Sequence, residues 1–202
     1  MLLPAFALRK PGVRLEAFLV SVGVVALAEI GDKTQLLAIL LGARFRAPVP
    51  VILGLFTAVL ANHLAASALG TWLAIVIKPE VLRYLLVVSF LATAVWMLIP
   101  DKLEGGATAA PARLGVYGTC ALSFFLVEFG DKTQIATVAL AARYHALLPV
   151  VAGTVLGMLI ADVPAVLLGG ATAARLPLKL VHRIAAAVFV VLALLVLFRF
   201  PS

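Results

Sequence analysis

Two nearly identical charged segments interrupt the apolar sequence of this chain, and they constrain its fold more than any other feature. The first, residues 29–35, reads EIGDKTQ, and the second, residues 128–134, reads EFGDKTQ, at a constant offset of 128 − 29 = 99 residues. Each acidic or basic side chain costs about 2.5–3.5 kcal/mol at the centre of a transmembrane helix. The repetition of so costly a motif indicates a functional site.

The composition places these motifs in a membrane protein. The chain is 64% hydrophobic and 12% charged, whereas soluble domains average about 45–50% apolar and about 25% charged residues. The net charge of +7 could suggest nucleic acid, but Lys and Arg lie singly or in pairs at the ends of apolar segments, as interfacial anchors do. We therefore expect a lipid bilayer as the environment and no nucleic-acid partner.

Apolar runs of about 20 residues, the length of a transmembrane helix, predict six spans. Their approximate bounds are 17–41, 49–77, 81–99, 114–142, 148–173 and 180–198. The connection at 104–113 is polar and contains two glycines and Pro111, so it is predicted to be a linker. The sequence thus divides into residues 1–103, a linker and residues 114–202.

The offset of 99 residues extends beyond the motifs, because it also places Gly54 on Gly153 and His63 on Asp162. Each half contains three predicted spans, so the second half would enter the membrane from the opposite side. This predicts an all-α integral membrane fold made of two inverted three-helix repeats, with both motifs near the bilayer centre. Lys and Arg number seven on each side in this arrangement, so the positive-inside rule does not give the orientation.

The motifs offer oxygen ligands. In continuous helices, Glu29 and Asp32 would share one face, which Lys33 would also approach. The two halves together would supply four carboxylates, with amide and hydroxyl oxygens as helpers: Glu29, Asp32, Glu128 and Asp131, helped by Gln35, Gln134, Thr34 and Thr133. Such a site suits Mn²⁺, Ca²⁺ or Mg²⁺. Four carboxylates with Lys33 and Lys132 sum to −2, which one divalent cation, or two protons, would balance.

The lysines also have a purely structural interpretation. Glu29 with Lys33, and Glu128 with Lys132, could form ion pairs within single helices that ease membrane insertion. That interpretation leaves both motif aspartates without partners. Outside the motifs, the ionisable Asp162 is expected to act in the ion or proton path, whereas interhelical hydrogen bonding explains Asn62 and His63 equally well.

The paired Glu-x-Gly-Asp-Lys-Thr motifs, one in each half, resemble the Gdt1 family, also called uncharacterised protein family 0016, whose members include transmembrane protein 165 and bacterial manganese exporters. The resemblance covers essentially the whole chain. It implies a multi-pass secondary transporter in the plasma (inner) membrane of a prokaryote, which exports Mn²⁺, or Ca²⁺, in exchange for protons by alternating access. It also implies a cation site formed by Glu29, Asp32, Glu128 and Asp131, with no prosthetic group.

Two other functions are weighed against this one. An exporter of a small organic cation is disfavoured because few aromatic residues surround the motifs. A membrane-embedded lipid-phosphate phosphatase is disfavoured because only Lys33 and Lys132 lie at depth to hold phosphate, so no enzyme activity is expected. The choice among Mn²⁺, Ca²⁺ and Mg²⁺, the proton stoichiometry and the oligomeric state, a homo-oligomer included, stay open.

Overall fold

The structure, a computed structural model, describes residues 11–99, 114–168 and 178–199. All regular secondary structure in this part of the chain is helical. Its eight helices in chain order are α1 (Pro11–Glu29), α2 (Lys33–Phe45), α3 (Pro48–Val76), α4 (Pro79–Met97), α5 (Gly115–Glu128), α6 (Lys132–Tyr144), α7 (Leu147–Leu168) and α8 (Leu178–Arg199). The predicted linker at 104–113 and the end of the fifth predicted span lie outside the described residues.

Four of the predicted spans correspond to single long helices. Helices α3, α4, α7 and α8 are long and apolar enough to cross a membrane, and their bounds agree with the predicted second, third, fifth and sixth spans. Proline in the first turn marks the start of α3 and of α4, where its missing N–H costs nothing. Large apolar side chains on these helices face outward, such as Ile75 (75% exposed) and Phe198 (78%), as a lipid-facing surface requires.

The prediction of a continuous helix through each motif is wrong. The first predicted span consists of α1 and α2, and the fourth consists of α5 and α6, with breaks at residues 30–32 and 129–131. The cause is backbone conformation, because Gly31 has φ +82° and Gly130 has φ +76°. A helix cannot continue through a left-handed residue, and glycine adopts that conformation without a Cβ penalty.

The first span of each half packs along the second span of the other half. Gly153 of α7 lies against Phe18 of α1, and Gly157 lies against Val22. The two contacts advance together along both helices, so α1 and α7 run in the same direction. The absence of a side chain at Gly153 and Gly157 lets the two backbones approach closely, as is common between membrane helices.

The same arrangement holds for α3 and α5. Gly54 of α3 lies against Tyr117 of α5, and the Asn62 amide of α3 donates to the Phe125 carbonyl at 3.1 Å. These two helices therefore also run in the same direction. The third spans, α4 and α8, pack together, with Phe90 and Phe189 ring centroids 6.2 Å apart.

Candidate cation site

Each motif folds as the break between two helices. Asp32 and Asp131 occupy the N-cap positions of α2 and α6, with extended backbone conformations. The amide of Asp32 donates to the carbonyl of Glu29 at 2.9 Å and closes the first turn. The Asp131 amide closes the second in the same way, at 3.0 Å from its acceptor. The breaks thus place each aspartate at the N-terminus of a helix, where negative charge is favoured.

The two motif glutamines brace these breaks. Gln35 Oε1 accepts the Gly31 amide at 2.8 Å, and Gln134 Oε1 accepts the Gly130 amide at 2.7 Å. Each bond satisfies an amide that would otherwise be left without a partner at the start of the following helix. The glutamines therefore have a structural role, because they hold the backbone of each motif. Their role as helper ligands stays a prediction.

The amide groups of both glutamines also reach the other half of the chain. Gln35 Nε2 donates to the Ala161 carbonyl of α7 at 3.0 Å. Gln134 Nε2 donates to Asn62 Oδ1 of α3 at 3.4 Å. Asn62 therefore takes part in interhelical hydrogen bonding, one of the two roles expected for it.

The motif lysines form ion pairs between the two motifs. Lys33 Nζ lies 2.9 Å from Asp131 Oδ1, and Lys132 Nζ pairs with Asp32 Oδ1. The alternative interpretation, in which Glu29 pairs with Lys33 and Glu128 with Lys132, does not describe these contacts, because the glycine breaks remove the helical i,i+4 geometry. Both aspartates, which that interpretation left without partners, are instead the acceptors of the lysines. These crossed pairs bring two segments 99 residues apart into one polar cluster.

The two ion pairs differ in their access to solvent. Lys132, Asp32 and Asp131 are buried, at 0%, 0% and 1% exposure, whereas the side chain of Lys33 is 25% exposed. Both members of the Lys132–Asp32 pair are therefore buried, whereas the Lys33–Asp131 pair is partly exposed through the side chain of Lys33.

Glu128 has several partners. Thr133 Oγ1 donates to its Oε1 at 2.6 Å, and Thr34 Oγ1 donates to its Oε2 at 3.0 Å. His63 Nε2 lies 3.4 Å from Oε1, and His63 Nδ1 lies 3.1 Å from the hydroxyl of Thr137. A carboxylate that accepts two hydroxyls, with an imidazole beside it, is well satisfied despite complete burial.

Glu29, the equivalent of Glu128, has a different environment. It is fully buried, as is Asp162 of α7. Within the described part of the chain, no hydrogen-bond donor reaches either oxygen of Glu29 or of Asp162. The contact of Gly157 with Val22 places Asp162, five residues later in α7, close to the end of α1 that carries Glu29. Two buried carboxyl groups at this level of α1 and α7 thus lack a donor among the described residues.

The predicted residues are therefore brought together, but not as a closed metal site. Among residues 11–99, 114–168 and 178–199, no group of three or more His, Cys, Asp or Glu side chains is placed to hold a metal ion. The lysines instead pair with the two motif aspartates.

His182 of α8 was missed by the sequence interpretation. Its Nε2 lies 3.1 Å from the carbonyl of Ile30, and together with Leu178 it covers Gly31. At Gly130, the equivalent residue in the second motif, no described residue lies within 4 Å of the position of a Cβ atom. No motif surrounds His182 in the sequence, so only the packing of α8 on the first break reveals the contact.

The long apolar helices and the buried cluster of carboxylates and lysines define a multi-pass membrane transport protein. The family model described as "Divalent cation/proton antiporter GDT1" matches residues 17–105 and 116–200. The chain belongs to this family, as the motif resemblance predicted, and this membership points to a transporter of cations.

One relative is similar over most of both chains. It is a protein of Vibrio cholerae serotype O1 (strain ATCC 39541 / Classical Ogawa 395 / O395) with the name "Putative manganese exporter". It is 49% identical over 176 residues, which are 87% of each chain. No solved structure gives a significant match.

Proposed function

We propose that this protein exports a divalent cation, Mn²⁺ first and Ca²⁺ second, across the plasma membrane of a prokaryote in exchange for protons. The observation that carries the proposal is the pair of crossed ion pairs, Lys33 with Asp131 and Lys132 with Asp32. They gather both motifs into one buried site that has oxygen ligands for a hard cation and carboxylates that also accept protons. Family membership and the name of the Vibrio relative support the same function.

Within this proposal, the chain forms six spans as two inverted repeats, residues 1–103 and 114–202. Consecutive spans cross a membrane in opposite directions, so α3 returns after α1–α2. Helix α5 runs with α3, and α7 runs with α1. These directions support a second half that enters from the opposite side, with the site between the repeats.

The exchange follows from charge. Without a cation, the two motif lysines pair with the two motif aspartates. A bound cation would displace the lysines and would be coordinated by the carboxylates of Glu29, Asp32, Glu128 and Asp131. When the cation leaves, protons and lysines again balance the carboxylates. The cation and the protons bind the same carboxylate oxygens, so they cannot occupy the site together. Binding of one therefore requires release of the other, which is exchange.

Flux measurements test the proposal. Purified protein in proteoliposomes should take up ⁵⁴Mn²⁺ when an outward proton gradient is imposed, and a Glu29→Gln/Glu128→Gln variant should not. Equal uptake by protein-containing and empty vesicles, for both Mn²⁺ and Ca²⁺, would refute the proposed function.

A further inference from the structure

The buried carboxyl groups of the site fall into two kinds. The first kind has partners: Asp131 and Asp32 pair with lysines, and Glu128 accepts two threonine hydroxyls. The second kind has none: Glu29 and Asp162 receive no hydrogen bond from any described residue, although both are completely buried. An ionised carboxylate buried in this way is costly unless it is paired or coordinates a metal.

Among the described carboxylates of the site, Glu29 and Asp162 are the two that can receive a cation without first losing a partner. A cation that approached Asp131 would compete with the Lys33 ammonium group at 2.9 Å, and like charges repel it. Glu29 and Asp162 present four oxygens and, when ionised, a charge of −2. One divalent cation balances that charge, and water and peptide carbonyls can complete its shell.

The packing of α7 keeps the two groups together. Gln35 Nε2 binds the carbonyl of Ala161, the residue before Asp162, at 3.0 Å, which ties α2 to this turn of α7. Gly157, one turn earlier on α7, lies against the backbone of Val22 in α1. The helix that carries Glu29 and the helix that carries Asp162 are thus fixed on each other.

The two halves are not equivalent at this point. The residue opposite Glu128 is His63, at 3.4 Å, and the residue at the corresponding position in the second half is Asp162. An imidazole can satisfy a carboxylate, whereas a second carboxylate repels it. Of the two motif glutamates, Glu29 is therefore the one that is ready to bind a cation.

We propose that Glu29 and Asp162 are the carboxylates that first bind the transported cation, so that Asp162 is a fifth cation ligand, outside both motifs. The inference rests on the proposed function and adds to it the place where the cation enters the site. The site is then asymmetric, because each chain has one pair of carboxylates, Glu29 and Asp162, at which the cation enters. The aspartates join only after the lysines move away.

Binding of Mn²⁺ to the purified full-length protein tests the inference, since free Mn²⁺ is measured directly by electron paramagnetic resonance. Asp162→Asn should weaken binding by about tenfold or more, because affinity for such cations follows the number of charged ligands. Asp162→Glu keeps the carboxylate and should recover most of the affinity, which a packing role for Asp162 would not predict. Thr154→Ala, a change on the same helix at a hydroxyl that bonds only the Val151 carbonyl, should bind as the wild type does.

Binding by Asp162→Asn within twofold of the wild type would overturn the inference. If that variant does not fold, the wild-type protein decides. A structure with Mn²⁺ bound, located by anomalous scattering, should place the ion on Glu29 and Asp162; an ion held by Asp32 and Asp131 without Asp162 would overturn it. Wild-type protein that neither binds nor transports Mn²⁺ or Ca²⁺ would refute the proposed function, whereas wild-type transport with unaltered binding by Asp162→Asn refutes this inference alone.

Discussion

Lys33 Nζ lies 2.9 Å from Asp131 Oδ1, so the lysine of the first motif is the partner of the aspartate of the second. Lys132 and Asp32 make the reciprocal pair. A membrane transporter that must open alternately to two sides needs contacts that join its halves and can be broken. The two ion pairs join the halves of the chain, and in the proposed mechanism they would be the contacts that break when the cation binds.

The unequal burial of the two pairs predicts unequal effects of mutation. Lys132→Met removes the buried cation that faces Asp32 and should cost about 3–5 kcal/mol of unfolding free energy, as breaking a buried pair does. Lys33→Met should cost less, because the side chain of Lys33 is 25% exposed and water can solvate the carboxylate left behind. Unfolding in mixed detergent micelles measures both.

The double variant Asp32→Asn/Lys132→Met is the control for this prediction. Because it removes both charges, it should be more stable than Lys132→Met alone. Equal losses for the two single lysine variants, with no recovery in the double variant, would contradict the pairing.

Thr133 should matter through its hydroxyl group. It donates to Glu128 at 2.6 Å and to Asp131 at 3.2 Å, so Thr133→Val leaves buried carboxylate oxygens short of a donor. We expect a loss of about 1–3 kcal/mol in stability together with weaker Mn²⁺ binding. Thr133→Ser keeps the donor and should stay close to the wild type; a serine variant as impaired as the valine variant would show that the methyl group, and not the hydroxyl, is what matters.

The two breaks should respond differently to an added methyl group. Gly130→Ala should lower stability only through backbone strain, about 1–2 kcal/mol for a left-handed residue, because no described residue lies within 4 Å of its Cβ position. Gly31→Ala meets the same strain and also Leu178 Cδ2 at 2.8 Å, so its melting temperature should fall further. Gly23→Ala, in α1 with open space around it, should be neutral or stabilising. A Gly130→Ala variant less stable than Gly31→Ala would contradict the covering of the first break by α8.

Close helix contact predicts the effect of a further glycine. A Cβ at Gly153 would lie 2.8 Å from Ser21 Cβ and closer still to the Phe18 carbonyl. Gly153→Ala should therefore separate α7 from α1 and lower the melting temperature, while Gly23→Ala on α1 does not. Gly153→Ala with wild-type stability would show that the two helices are not held this closely.

The sequence predicted much of this architecture. Apolar runs predict the four long helices to within a few residues, because hydrophobic length is a local property. The offset of 99 residues paired His63 with Asp162, and the structure places each of them near a motif glutamate. Glycine in each motif permits a break, but its presence in the sequence does not state that φ becomes positive there.

The remaining features depend on tertiary contacts. Spacing suggested that Lys33 pairs with Glu29, but the broken backbone directs it to Asp131 in the other half. The two motifs are almost identical in sequence, so nothing in them distinguishes Glu128, which has three side-chain partners, from Glu29, which receives none from the described residues. That difference comes from the neighbouring helices.

The proposed function requires that the cation and protons move in a coupled way. The most direct test uses proteoliposomes with no initial pH gradient, a clamped membrane potential and a pH-sensitive dye inside. Addition of external Mn²⁺ should acidify the exterior and raise the internal pH, because each entering cation drives protons out, and Asp162→Asn and Glu29→Gln should weaken the signal at a Mn²⁺ concentration that half-saturates the wild type. Mn²⁺ entry with no change in internal pH would contradict exchange at a shared carboxylate site.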